Sequence, residues 1–107
     1  MTERCALETP EDGTVRLNGE LTFESVPLLY REMERRLPSS GPLRTIDLQG
    51  ITRADSAGLA LLLEWQSHQR RRGREMAILN APSNLIRLAG LCEAIDMLNL
   101  SGRKDQP

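Results

Sequence analysis

Ser56 is the residue of this chain with the widest choice of chemistry. It lies in "DSAG" (Asp55 to Gly58), just ahead of the apolar run "LALLL", and three roles are open to it. It could be a nucleophile, a phosphate acceptor or the cap of a helix. A serine nucleophile needs a base to take its proton. The single histidine, His68, falls on the same helical stretch, about 18 Å further along at 1.5 Å per residue. The strained elbow of serine hydrolases places glycines two residues to either side of the serine. Gly58 satisfies the second position, but Ala54 occupies the first. Between Ser56 and His68 the only carboxylate is Glu64, on that same helix. A Ser-His hydrolase is therefore excluded. Asp47 and Asp55 have no second group converging on them for acid–base work. Neither a phosphate-binding Gly-Lys loop, a dinucleotide fingerprint nor a metal-ligand spacing is found. No enzymatic activity, cofactor or metal is expected.

The remaining roles are compatible with each other. Asp and Ser side chains accept hydrogen bonds from the unpaired amides that open a helix, so Asp55 or Ser56 can cap the one that follows. A helix N-terminus also favours negative charge, which suits a phosphate on the same serine. The following helix is unusually apolar. Leu59, Leu61, Leu62, Leu63 and Trp65 span about twice the ~100° stripe that a single core contact needs. Either the helix is deeply sunk in its own domain or part of that arc is offered to a partner. Ala57 and Ala60 fall outside the arc, beside Glu64 and His68, and form a surface of small residues. At the other end Arg70, Arg71, Arg72 and Arg74 oppose the negative end of the macrodipole, with Gly73 as the stop. A solvated helix end, an acidic partner or phospholipid headgroups would each suit them.

These residues need a scaffold that 107 residues can build as one domain. Net charge is −1, which argues against general binding to nucleic acid or an anionic membrane. The N-terminal residues lack the apolar segment of an export signal. The longest apolar run, Leu59 to Leu63, is far below the roughly 18 residues of a membrane span. Cytoplasmic residence is expected. Cys5 and Cys92 read as two reduced, packed thiols, a disulfide between them being the alternative. Phe23, Tyr30 and Trp65 are the only aromatics, so the core must be aliphatic.

Residues 4–8 and "TVRLNG" read as a hairpin joined by the turn "TPEDG". Val26, Leu29, Tyr30, Met33 and Leu37 recur at helical spacing, and "PSSGP" (Pro38 to Pro42) is expected to be a loop. "RTIDLQG" is a strand with Ile46 and Leu48 inward, followed by a short connection and the Ser56 helix to about Arg72. "EMAILN" (Glu75 to Asn80) is expected to be an interior strand covered on both faces. Leu85, Leu88, Ala89 and Cys92 mark a third helix, with Ser83 its expected N-cap and Gly90 an early stop. Ile95 to Leu100 suits either a helical turn or an edge strand. The domain is expected over 1–100, with 101–107 a tail. Strand–helix–strand units imply parallel pairing and right-handed crossovers.

"TIDLQGITRADSAGLALLL" resembles the signature of STAS domains: an apolar strand, a short loop, Asp-Ser, a small residue, Gly-Leu and a leucine-rich helix. "VRLNGELTFESVPLL" and "MAILNAPSNLIRLAGL" are similar to the family's preceding and following segments, so the resemblance spans about residues 12–100. It implies an α/β STAS fold: a small mixed sheet, an N-terminal hairpin plus parallel βαβ units, packed with helices. It also implies a protein that binds rather than catalyses. "GLALLLEW" looks more like the MlaB-like branch, a subunit on the cytoplasmic ATPase of the Mla phospholipid ABC transporter. The other branch, the anti-sigma factor antagonists, would have Ser56 phosphorylated by a kinase-like anti-sigma factor. On either reading Ser56 contacts the partner or carries the phosphate. Arg53, Asp55, Ala57, Gly58, Ala60 and Glu64 surround it, with Ser56 capping the helix and Asp55 ordering the loop.

Overall fold

Val15 and Leu17 point into the domain while Thr14, Arg16 and Asn18 point away, and this alternation makes β2 (Thr14–Leu21) a one-sided strand. β1 (Ala6–Glu8) lies antiparallel beside it, with Leu7 opposite Leu17. The computed structural model describes residues 5–8, 13–40 and 43–101, with 37–40 as backbone alone. The expected turn residues Thr9 to Asp12, the Leu37 side chain and residues 102–107 of the expected tail lie outside the described residues.

α1 (Val26–Ser40) follows a tight turn at Thr22–Ser25 and buries Leu29 and Met33. It runs on to Ser40, so the loop expected from Pro38 onward is instead its last turn. A proline there removes a single intrahelical bond with only two residues left to run. β3 (Thr45–Ala54) is also longer than expected: "ITRA" continues the strand instead of forming a connection. Its parallel register with β2 shifts twice, so ten residues of β3 run beside eight of β2. These bulges bring both Leu48 and Ile51 inward, which breaks the strict alternation that marks a strand in sequence.

α2 (Ser56–Arg71), β4 (Ala77–Leu79), α3 (Ser83–Leu91), a 3-10 turn (Ile95–Met97) and β5 (Leu100–Ser101) complete the chain. The segment expected to be either a helical turn or a strand is both in succession. Ser101, assigned to the tail, pairs with Leu79. The sheet order is β1-β2-β3-β4-β5, antiparallel at the first pair and parallel thereafter. Successive right-handed crossovers between neighbouring strands put the helices on one face, where α2 packs between α1 and α3. The core is Leu17, Leu21, Ile46, Leu48 and Ile78 against Leu29, Met33, Leu62, Trp65 and Leu85.

That winding corrects the expectation for β4. Ile78 is buried, but Ala77 and Leu79 on the opposite face are only half-buried, so the strand is covered on one side. The same topology accounts for the wide apolar arc of α2. Leu59, Leu61, Leu62 and Trp65 are all buried and Leu63 is half-buried, because the helix touches two helices as well as the sheet. The domain itself takes up the arc.

The third helix departs from expectation at both ends. Its N-cap is Pro82, without a side-chain cap bond, and Ser83 is its first helical residue. Gly90 lies inside it, and the left-handed residue that ends it is Glu93, at φ 55°. Leu88 and Ala89 pack on the core and carry the helix past the glycine. Both cysteines are free, yet Cys92 is exposed and not packed. Cys5 is half-buried, and burial pushes its thiol up to about 11.

Candidate functional site

β2, β3 and β4 are parallel, so their carboxyl ends share one edge of the sheet, and α1, α2 and α3 all begin there. Ligands and partners of open α/β sheets meet this edge, where loops are free to vary. The bulges in β3 set its end against β2: Leu21 lies opposite Ala54, and the Asp55 amide donates to the Leu21 carbonyl at 3.2 Å.

Asp55 is the centre of the edge. Its Oδ1 accepts from the amides of Ala57 at 2.9 Å and Gly58 at 3.2 Å, so Asp55 is the N-cap of α2. Its Oδ2 accepts from the amide of Phe23 at 3.1 Å, which ties the β2–α1 loop to the β3–α2 loop. The loop role expected of Asp55 is therefore present, and the capping role expected of Ser56 belongs to Asp55. A carboxylate can satisfy three donors at once, whereas a hydroxyl in the first helical turn cannot. Ser56, relieved of capping, is exposed as the first residue of α2.

The other predicted residues divide into two groups. Arg53, Ala60 and Glu64 are exposed and Ala57 is half-buried, so they share the outer surface with Ser56. Arg53 sits in strand β3, not in a loop. Glu64 meets His68 Nε2 at 3.1 Å, one turn along the helix. Gly58 does not belong to the surface. It is buried, and a Cβ there would come within 2.5 Å of the Leu21 carbonyl oxygen and 2.8 Å of Leu21 Cγ. Its missing side chain lets the first turn of α2 sit directly on the end of β2, which fixes where Ser56 emerges.

Several residues at work in the structure were not anticipated. Asn84 Nδ2 donates to the Ala54 carbonyl at 2.7 Å, so the first turn of α3 is tied to the same edge. Phe23 is 70% exposed beside Asp55. The available signal was a scarce aromatic in the polar stretch "LTFES", between a strand and a helix. On the inner side of α2, Gln66 is buried and acts as a substitute backbone. Its Nε2 donates to the Met76 carbonyl at 2.7 Å and its Oε1 accepts from the Met76 amide at 2.8 Å. Gln69 is buried beside it, its Oε1 without a partner among the described residues. No group of three or more potential metal ligands and no helix long and apolar enough to cross a membrane occurs among the described residues.

This architecture defines a class. A family profile described as "Mlab, STAS domain" matches residues 6–103. The chain belongs to the STAS-domain family, and its five-stranded sheet with three helices is the SpoIIAA-like STAS fold. No curated protein sequence matches it. Among solved structures, a candidate anti-sigma factor antagonist from Thermotoga maritima is 18% identical with a TM-score of 0.70, covering 90% of this chain and 84% of that one. The anti-sigma factor antagonist SpoIIAA in its unphosphorylated form is 20% identical with a TM-score of 0.61, covering 86% of this chain and 94% of the other. The murine anion transporter Slc26a9 is 13% identical with a TM-score of 0.59, covering 95% of this chain but 21% of the transporter.

Proposed function

We propose that this chain is a non-enzymatic docking subunit that binds and supports the ATPase of an ABC phospholipid transporter through its carboxyl edge. The observation that carries the reading is the division of labour at the start of α2. Asp55 caps the helix, Gly58 seats it, and the Ser56 hydroxyl is left exposed among the small residues Ala57 and Ala60. Such a surface permits close approach of another backbone, and its Glu64–His68 pair lies two turns along the helix from the Ser56 hydroxyl. The family profile's description, "Mlab", supports the transporter branch. In this role the protein resides in the cytoplasm, at the inner membrane by way of its complex.

The second reading, an anti-sigma factor antagonist switched by phosphorylation of Ser56, draws on the same geometry. An exposed hydroxyl at a helix N-terminus is where the macrodipole best tolerates a phosphate. SpoIIAA, an antagonist with an unphosphorylated form, shares the fold.

Co-purification with the tagged chain separates the two. Recovery of an ABC ATPase with its permease supports the transporter role, and recovery of a kinase-like anti-sigma factor supports the antagonist. Ser56→Arg abolishes capture on either reading while leaving Tm within a degree or two of wild type. Undiminished capture by Ser56→Arg overturns the placement of the interface.

A further inference from the structure

We propose that the end of α3 is a self-association surface whose occupant is a second copy of this chain, in a weak two-fold dimer. Leu91 is 76% exposed, Met97 53% and Ile95 37%, and all three fall within one short stretch of chain. Ala94 and Leu98 turn inward on either side of the 3-10 turn, so the fold that buries them leaves Ile95 and Met97 outside. Gly90, exposed just before Leu91, has open space where a Cβ would stand, so a second backbone can come close.

Charge order identifies the occupant. Arg87 lies one helical turn before Leu91 on the same outer face, about 6 Å away along the axis. Glu93 and Asp96 follow the helix. All three charges are exposed and make no ion pair among the described residues. Glu93 stands at φ 55°, a backbone that glycine adopts without strain, so its carboxylate is carried there at a conformational cost. Along the chain the surface is basic, then apolar, then acidic. A surface that meets its own copy about a two-fold axis must be self-complementary. With Leu91 near that axis, Arg87 of each copy faces Glu93 and Asp96 of the other. A wholly basic or wholly acidic partner suits one end of this surface and opposes the other, whereas a second copy suits both. Three apolar side chains on each copy place the contact below the ~1,200 Å² of standard interfaces, so the dimer is reversible. The Ser56 turn lies at the edge where the helices begin, and it stays uncovered in both copies.

The test is sedimentation equilibrium of the full chain at physiological salt, in reducing buffer so that Cys92, exposed beside Leu91, forms no disulfide. Tm and co-sedimentation with phosphatidylethanolamine–phosphatidylglycerol vesicles are measured alongside. Wild type is expected to pass from monomer to dimer as concentration rises from micromolar to millimolar. Leu91→Gln is expected to weaken dimerisation about tenfold or more at unchanged Tm. Arg87→Glu, and Glu93→Arg combined with Asp96→Arg, are each expected to remain monomeric alone and to form a heterodimer when mixed. A wild type that is monomeric at every concentration overturns the proposal. Dimerisation that Leu91→Gln weakens but the charge reversals leave intact overturns the two-fold pairing, as does a mixture that fails to associate. Vesicle binding by a monomeric wild type, lost in Leu91→Gln, replaces the second copy with a membrane.

Discussion

The two ends of α2 are held in different ways. At the carboxyl edge, polar side chains reach across the chain: Asp55 to the Phe23 amide, 32 residues away, and Asn84 to the Ala54 carbonyl, 30 away. At the far end of α2 the surface polar ties are local. Arg70 Nε meets Glu75 Oε1 at 3.2 Å, and Arg71 Nε reaches the Ser67 carbonyl one turn back, at 3.5 Å. Gly73, at φ 72°, closes α2 with the Arg74 amide bonded to the Gln69 carbonyl. Long-range ties constrain the mutual position of three loops, whereas local ties merely finish a helix. Both ends of the helix carry exposed charge, but the first holds a surface to a fixed shape and the last is solvated.

Substitutions that break this contrast should rank accordingly. Leu62→Ala, between the two ends and fully buried, is expected to lose about 2–5 kcal/mol in chemical denaturation. Gly58→Ala forces a methyl against the Leu21 carbonyl, a strain of about 1–3 kcal/mol. Better helix propensity returns about 1 kcal/mol of that. Its signature is a lowered Tm together with weakened partner binding, because the first turn of α2 shifts. Asp55→Ala unties the cap and the Phe23 loop, and denaturant titration should show a loss of about 1–2 kcal/mol. Arg74→Ala, just past the far end of α2, should stay within about 0.5 kcal/mol of wild type and bind the partner normally. Equal effects of Asp55→Ala and Arg74→Ala would erase the distinction between the ends.

Most of the architecture was legible because aliphatic periodicity records one-sided burial. Val15 and Leu17 marked β2, Leu29 and Met33 marked α1, and "DSAGLALLL" marked both the family and the start of α2. The failures have specific causes. The end of β3 was hidden because its bulges spoil the period of two, and the end of α1 because a proline is tolerated in a last turn. β4 appeared covered on both faces since the run of four apolar residues from Met76 to Leu79 does not report which face a helix occupies. At the site, residue types identified the position but not the roles. Asp55 and Ser56 are both good caps, and only the geometry of three converging amides gives the cap to aspartate. Gly58 read as surface, and the proximity of Leu21 that requires it comes from the β2–β3 register. Phe23 stood out only as a scarce aromatic in a polar stretch, and its place beside Asp55, 32 residues away, comes from the fold.

Hydrogen–deuterium exchange of the chain, free and in complex with its captured partner, tests most directly which end docks. Exchange is predicted to slow at Phe23 to Ser25 and Ser56 to Ala60 on binding, with Arg70 to Glu75 unchanged. Protection confined to Arg70 to Glu75, with the Ser56 turn exchanging as in the free protein, would contradict the account.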